Sequence, residues 1–179
     1  MRVIALFVTL LFSVPVADAN QQALLRLHWQ NLVSQSGTLN YAEKIALVQS
    51  FSNKIQLVNS SSTQINRTSA DILSSEQATS AELAFTKWQM LVAMGYQSDQ
   101  FRLVYLTDSE QQAQVWLAVD EGGIMQLLST DQVISQTEFN KLLLSKQISV
   151  VSVVDPSRIL GSRENTRLST HQHGDTTYL

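Results

Sequence analysis

Apolar residues recur at helical spacing through the first half of the chain. They stand three or four positions apart over residues 21–34, which predicts an amphipathic helix that ends near Gly37. Asn40 with Glu43 three positions later has the spacing of a capping box, which predicts the start of a second helix. Residues 57–78 are dominated by Ser, Thr, Asn and Gln, and this composition predicts a long loop with little regular structure.

The strongest helical pattern covers about residues 80–94 and is apolar on nearly every face. Thr79 and Glu82 form another capping box at its start, and Gly95 follows its last residue. A helix with apolar side chains all round is typically buried between layers, so we expect this one at the centre of the molecule.

The second half of the chain alternates apolar and polar residues and is rich in β-forming residues, which predicts strands. The expected strands cover residues 101–107, 113–120, 124–129 and 148–154. Residues 131–146 are consistent with a strand followed by a short helix around 138–144. This order predicts an α+β fold in which N-terminal helices and a central buried helix pack on an antiparallel sheet.

The start of the chain has the pattern of an export signal. A positive residue precedes an apolar run over residues 3–12, and Ala-Asp-Ala over 17–19 fits the small-x-small cleavage rule. The run is too short to span a bilayer, and no later segment is apolar enough to cross a membrane. The predicted organisation is a signal peptide at 1–19, a domain at 20–158 and a polar, disordered tail at 159–179. We therefore expect an exported protein, in a bacterium a periplasmic one.

Composition narrows the possible chemistry. The 179 residues carry a formal net charge of −3 and include no cysteine, which excludes disulfides, thiolate metal ligands and a thiol nucleophile. The mild acidity argues against a nucleic-acid-binding protein, which needs a clustered basic face. His171 and His173 with Asp175 resemble a metal clip, but ordering a flexible tail around an ion costs entropy. We expect no metal and no cofactor.

Four stretches of the sequence resemble the bacterial transglutaminase-like cysteine peptidases, the papain-like family that includes periplasmic proteases that cleave surface adhesins. Residues 48–55 (VQSFSNKI) resemble the family's VNxFFNxxI helix, and residues 79–88 (TSAELAFTKW) align with its signature DCEDYAxxKY. Residues 101–105 (FRLVY) are similar to LRLxYV, and residues 112–114 (QAQ) are similar to the QAH before an apolar strand. The resemblance covers roughly residues 24–130.

The resemblance implies a catalytic triad whose three residues this chain replaces. The family uses a thiolate at a helix N-terminus, a histidine base on a neighbouring strand and a carboxylate that orients the histidine. The thiol position is Ser80, the histidine position is Gln114, and the carboxylate position falls at Leu128 or Ser129. A serine without an adjacent base is a weak nucleophile, so the simpler interpretation is a structural one, in which Ser80 helps to cap its helix.

The same resemblance implies a loss of acidic residues beside the thiol position. These acids support calcium binding in the adhesin-cleaving members, and two of them are Thr79 and Ala81 here. Only Glu82 keeps a carboxylate, and completing its capping box is the simpler role for it.

These replacements predict a pseudoenzyme, an exported, catalytically inactive peptidase homologue that binds an envelope protein or peptide. Such binding would use the 57–78 segment or the family's substrate cleft, whose walls here would be Ser80, Gln114 and Trp116. The candidate binding residues are Thr79, Ser80, Glu82, Gln114 and Trp116. One alternative is a residual hydrolase that uses Ser80. Another is a small structural envelope protein unrelated to the peptidases, for which we expect a fold without a central helix packed on an antiparallel sheet.

Overall fold

The computed structural model describes residues 17–58 and 63–159. The predicted signal peptide up to residue 16 and the predicted tail from residue 160 therefore lie outside the described residues. The predicted cleavage after Ala19 falls inside the first helix. The helices and strands are α1 (Ala17–Gln35), α2 (Tyr41–Ser52), β1 (Gln56–Leu57), α3 (Ser69–Ser75), β2 (Gln77–Ala78), α4 (Ser80–Ala93), β3 (Phe101–Asp108), β4 (Ala113–Glu121), β5 (Ile124–Leu128), β6 (Val133–Ser135), α5 (Gln136–Leu144) and β7 (Ile148–Val154).

Two helix starts follow the predicted capping boxes. The Asn40 side chain accepts a hydrogen bond from the Glu43 N–H at 3.0 Å, and the Glu43 carboxylate accepts one from the Asn40 N–H at 2.8 Å. Thr79 and Glu82 form the same reciprocal pair at the start of α4. These bonds satisfy backbone N–H groups that have no partner inside the first turn of a helix.

The expectation of an irregular loop over residues 57–78 is wrong. The segment contains α3, which begins with a capping box between Thr68 and Asp71, and α3 is followed by β2. Ile72 and Leu73 of α3 are buried in the core. The helix has only seven residues, so its two core-facing positions are too few to produce a periodic pattern within a polar sequence.

The main sheet has five antiparallel strands in the order β6-β5-β4-β3-β7. β4 lies at the centre of the sheet. It pairs with β3 from Ala113 to Val119 and with β5 from Leu117 to Glu121. β1 and β2 form a separate parallel pair. The uncertain stretch 131–146 is β6 followed by α5.

The sheet separates two apolar clusters. Val115, Leu117 and Val119 of β4 belong to the larger cluster, which includes the buried residues of α2, α3 and α4. Trp116 and Ala118 face the other way and pack in a smaller cluster against α5. A central helix buried on one face of an antiparallel sheet confirms the predicted α+β fold. Within the described residues, none of the helices is both long and apolar enough to cross a membrane.

Candidate functional site

Ser80 is the first residue of α4 and lies against the start of β4. Its Oγ accepts a hydrogen bond from the Val115 N–H at 3.2 Å. Pairing between β4 and β5 begins only at Leu117 with Leu128, so Val115 lies beyond that ladder. The Ser80 hydroxyl therefore accepts the hydrogen bond of the Val115 N–H at a point where β5 does not pair with β4.

Gln114, the residue before Val115, has its side chain fixed from both ends. Its Nε2 donates to Asp108 Oδ2 at 2.9 Å, and its Oε1 accepts from Trp116 Nε1 at 3.1 Å. Gln114 and Trp116 are two positions apart on the strand and therefore share the face that is turned away from α4. The Gln114 carboxamide therefore links Asp108 to Trp116 on the side of the sheet that α5 covers.

The fold therefore places Ser80 of α4 against Val115 of β4, the residue next to Gln114. The predicted thiol and histidine positions thus lie close together. The contact runs through the backbone of Val115, and the hydrogen bonds of the described residues include none between the Ser80 hydroxyl and a histidine or carboxylate. His28 lies in α1, with its ring 5.6 Å from that of Phe51. The other two histidines, at positions 171 and 173, are outside the described residues. Within the part of the chain that the structure describes, no group is placed to activate the Ser80 hydroxyl as a nucleophile.

The two positions predicted for the carboxylate are buried and neutral. Leu128 is part of the core at the end of β5. Ser129 is also buried, and its Oγ donates to Asp131 Oδ1 at 2.9 Å and to the Gln132 carbonyl at 3.0 Å. The carboxylate that contacts the Gln114 side chain is Asp108, which sequence reasoning did not select. The sequence did contain a clue to this contact. Asp108 is the last residue of β3, and the hairpin between β3 and β4 brings it close to the start of β4.

Trp116, predicted as a binding residue, is buried in the smaller cluster. Its ring centroid lies 6.2 Å from that of Phe139 in α5. The indole N–H reaches Gln114, and the rest of the ring contributes apolar packing. The more accessible members of the predicted set are Thr79, Ser80 and Gln114, all half-buried.

Glu82 does more than complete its capping box. Its side chain is only 3% exposed and forms an ion pair with Arg67, with 2.6 Å between Arg67 Nη2 and Glu82 Oε2. Burial alone would raise the pKa of the Glu82 carboxyl, but hydrogen bonds from Arg67 and from the Thr79 N–H outweigh burial and hold that pKa below its usual value. Sequence reasoning missed Arg67, which is 15 residues away from its partner.

Lys87 is a second buried charge, and sequence reasoning missed it. It lies on α4 with 1% of its surface exposed, and its Nζ donates to Gln49 Oε1 at 3.0 Å and to the Ser129 carbonyl. Burial lowers the pKa of Lys87 to about 7, although the nearby Asp131 charge acts in the opposite direction. The sequence feature that could have indicated this buried charge is the position of Lys87, a single lysine within a helix that is apolar on nearly every face.

Lys87 is too far along α4 to serve Ser80. Seven residues separate the two positions, which corresponds to about 10 Å along a helix. Its contacts instead join α4 to α2 and to the turn between β5 and β6. Gln49 also donates to Asn53 at 2.8 Å, and Asn53 donates to the Asp131 carbonyl at 3.0 Å, which closes a polar network around the ammonium group.

Comparison with known proteins identifies the fold. No protein-family model matches the sequence, and no curated protein sequence matches it significantly. A structure of LapG from Legionella pneumophila matches with a TM-score of 0.60 at 16% identity, over 77% of this chain and 83% of that one. LapG structures in EGTA-treated and calcium-bound states match with TM-scores of 0.60 and 0.59 at the same identity. The chain therefore has the fold of LapG.

Proposed function

We propose that this chain is an exported, catalytically inactive relative of the transglutaminase-like peptidases that binds a protein or peptide in the bacterial envelope. The LapG-like fold suggests the peptidase family that the sequence motifs resemble. It also argues against the unrelated structural protein, for which a different architecture was expected. The observation that carries the proposal is the environment of Ser80, whose Oγ accepts a hydrogen bond from a strand N–H and has no base beside it among the described residues.

The replacement at the histidine position supports the loss of catalysis. A carboxamide does not accept a proton at neutral pH, and that of Gln114 is held by Asp108 and Trp116. A serine hydrolase needs a base within hydrogen-bond reach of the hydroxyl. The chain keeps the helix start and the strand that carry these two positions but replaces the groups that perform the reaction, so the proposed activity is binding.

Catalysis is tested with a fluorophosphonate probe and a peptide-hydrolysis assay on the purified chain, with Ser80→Ala as the comparison. We expect no labelling or hydrolysis that depends on Ser80. We also expect Ser80→Ala to lower the free energy of unfolding by about 1 kcal/mol, because the Val115 N–H loses its acceptor. Replacement of the exposed Ser98 by Ala is the matched control for stability. Labelling of Ser80, with hydrolysis that disappears in Ser80→Ala, would establish the residual hydrolase instead.

Binding at the cleft is tested by site-specific photocrosslinking in cells. A photoreactive amino acid at the exposed position Gln112 lies two residues from Gln114, and one at Ile124 lies at the opposite end of β4. We expect a discrete crosslinked species at Gln112 that Ile124 does not give. Equal crosslinking at the two positions, or none at Gln112, contradicts binding at this end of the sheet.

Export is tested on the mature protein. The N-terminal pattern predicts that the chain recovered from the periplasm begins at Asn20. Mass spectrometry of the intact protein reads this directly, and replacing Ala17 and Ala19 with large residues should block processing. Recovery of unprocessed chain from the cytoplasm alone contradicts export.

A further inference from the structure

Glu82 is a buried anion at the start of α4, and both of its carboxylate oxygens accept hydrogen bonds from neighbouring protein groups. Oε1 accepts from the Arg67 N–H at 3.2 Å and from Arg67 Nε at 3.1 Å. Oε2 accepts from Arg67 Nη2 at 2.6 Å and from the Thr79 N–H at 3.1 Å. A guanidinium that binds both oxygens of one carboxylate is the strongest arrangement of such a pair. The charge of Glu82 is therefore already balanced.

The residues at this place do not fit a calcium ion. Calcium takes about six to eight oxygen ligands, several of them from carboxylates. The neighbours of Ser80 are Thr79, whose hydroxyl accepts from the Glu82 N–H, and Ala81, which has no ligand atom and is fully buried. No group of three acidic, histidine or cysteine side chains that could hold a metal occurs within the described residues. A cation would also have to displace a guanidinium of like charge.

We infer that the start of α4 does not bind calcium, because the Arg67 guanidinium already balances the Glu82 carboxylate there, and that the stability of this chain is independent of calcium. LapG has been solved in a calcium-bound state, so the fold accommodates the ion. Here Arg67 performs the two structural tasks of such an ion. It neutralises the carboxylate beside Ser80, and it joins separate segments of the chain.

The second task is visible in the remaining contact of Arg67. Its Nη1 donates to Ser75 Oγ at 3.1 Å, at the last residue of α3. One side chain therefore connects the segment before α3, the end of α3 and the first turn of α4. The Arg67 side chain is half-buried, and its hydrogen bond with Glu82 is the main cause of its raised pKa, so this cation is charged at every working pH. The inference does not depend on what the cleft binds.

The first test is a calcium titration of the purified chain. Thermal unfolding is measured in EGTA and in millimolar calcium chloride, and calorimetry is used to look for calcium binding. We expect the same melting temperature within one degree in both conditions and no saturable heat. Stoichiometric binding together with a rise of several degrees in calcium overturns the inference, because a ligand of the folded state raises its stability.

The second test removes the positive charge of Arg67. Arg67→Gln keeps a polar side chain but leaves Glu82 buried without its positive charge, so we expect a melting temperature several degrees lower. We expect the loss to be larger at pH 8 than at pH 5, since protonation of Glu82 relieves the unpaired charge. Adding Glu82→Gln should then restore part of the loss.

Arg102→Gln is the matched control, because Arg102 is exposed and donates to backbone carbonyl groups only. A loss in Arg67→Gln no larger than in Arg102→Gln, or one that is equal at the two pH values, contradicts the role of the guanidinium as a counter-ion. If Arg67→Gln does not fold, the calcium titration of the unmodified chain still decides the question.

Discussion

Lys87 is a buried ammonium group, and its burial destabilises the charged form of the side chain. Its charged form loses hydration, and its hydrogen bonds go to a carboxamide and a carbonyl group rather than to a carboxylate. The negative charge of Asp131 acts on it electrostatically and raises its pKa. The net result is a pKa of about 7, compared with 10.5 for a free lysine. The folded chain therefore releases a proton that the unfolded chain retains between these two values.

This proton release predicts that the contribution of Lys87 to stability rises with pH from about 7 to 10.5. In that window the unfolded state binds more protons, and one such group adds up to about 1.4 kcal/mol per pH unit to the free energy of unfolding. Urea denaturation at several pH values measures the slope. We expect Lys87→Met to flatten it, whatever the variant's absolute stability.

Lys141→Met is the control for this slope, because Lys141 is exposed in the last turn of α5. It should leave the pH dependence as in the unmodified chain. Parallel curves for Lys87→Met and the unmodified chain would show that Lys87 does not change its proton occupancy on folding.

At the scale of the element, α3 depends on its first turn more than a longer helix does. It has seven residues, too few to be stable by backbone bonds alone. The Thr68 hydroxyl accepts from the Asp71 N–H at 3.2 Å, and Asp71 Oδ2 accepts from the Thr68 N–H at 3.0 Å. We expect Thr68→Ala to lower the free energy of unfolding by about 1 kcal/mol and to speed amide exchange within α3.

Ser74→Ala provides the comparison inside the same helix. Ser74 Oγ donates to the Ala70 carbonyl, a group that already belongs to the helix, and its loss should change stability by less than about 0.5 kcal/mol. Urea denaturation of both variants measures the difference. Equal effects would mean that α3 is held by the burial of Ile72 and Leu73 rather than by its cap.

The elements that the sequence predicted well are those with local signals. β7 has the predicted bounds of 148–154, and α4 begins at Ser80, directly after its N-cap residue Thr79. α3 was missed because its apolar positions are too few to form a pattern. The pairs formed by Arg67 with Glu82 and by Lys87 with Gln49 could not be predicted, because their members are 15 and 38 residues apart and meet only in the folded chain.

The candidate site was predictable in its positions but not in its bonds. The capping box placed Ser80 at the start of a helix, and the motif placed Gln114 at the start of a strand. Side-chain direction on β4 depends on sheet register and on which face each cluster covers, and neither is encoded locally. Only the fold shows that Ser80 contacts Val115 while Gln114 is turned toward Asp108.

At the scale of the whole molecule, the two faces of the sheet differ in how much they bury. The face toward α4 carries a cluster built from several helices, whereas the opposite face is covered mainly by α5. Phe139 of α5 contacts Trp116 there, and Phe85 of α4 contacts Trp88 with ring centroids 5.0 Å apart. A thinner layer has fewer contacts that must break together, so α5 should open separately from the rest.

This asymmetry predicts different consequences for two similar substitutions. Phe139→Ala should raise amide exchange in α5 and β6 while α4 keeps its protection. Phe85→Ala should lower protection throughout, at a cost of about 3 to 5 kcal/mol, because Phe85 is buried where the helices meet the sheet. Hydrogen exchange followed by mass spectrometry distinguishes these outcomes. If Phe139→Ala lowers the protection of α4 as much as that of α5, the two clusters unfold as one unit, and α5 is no separate cover for the sheet.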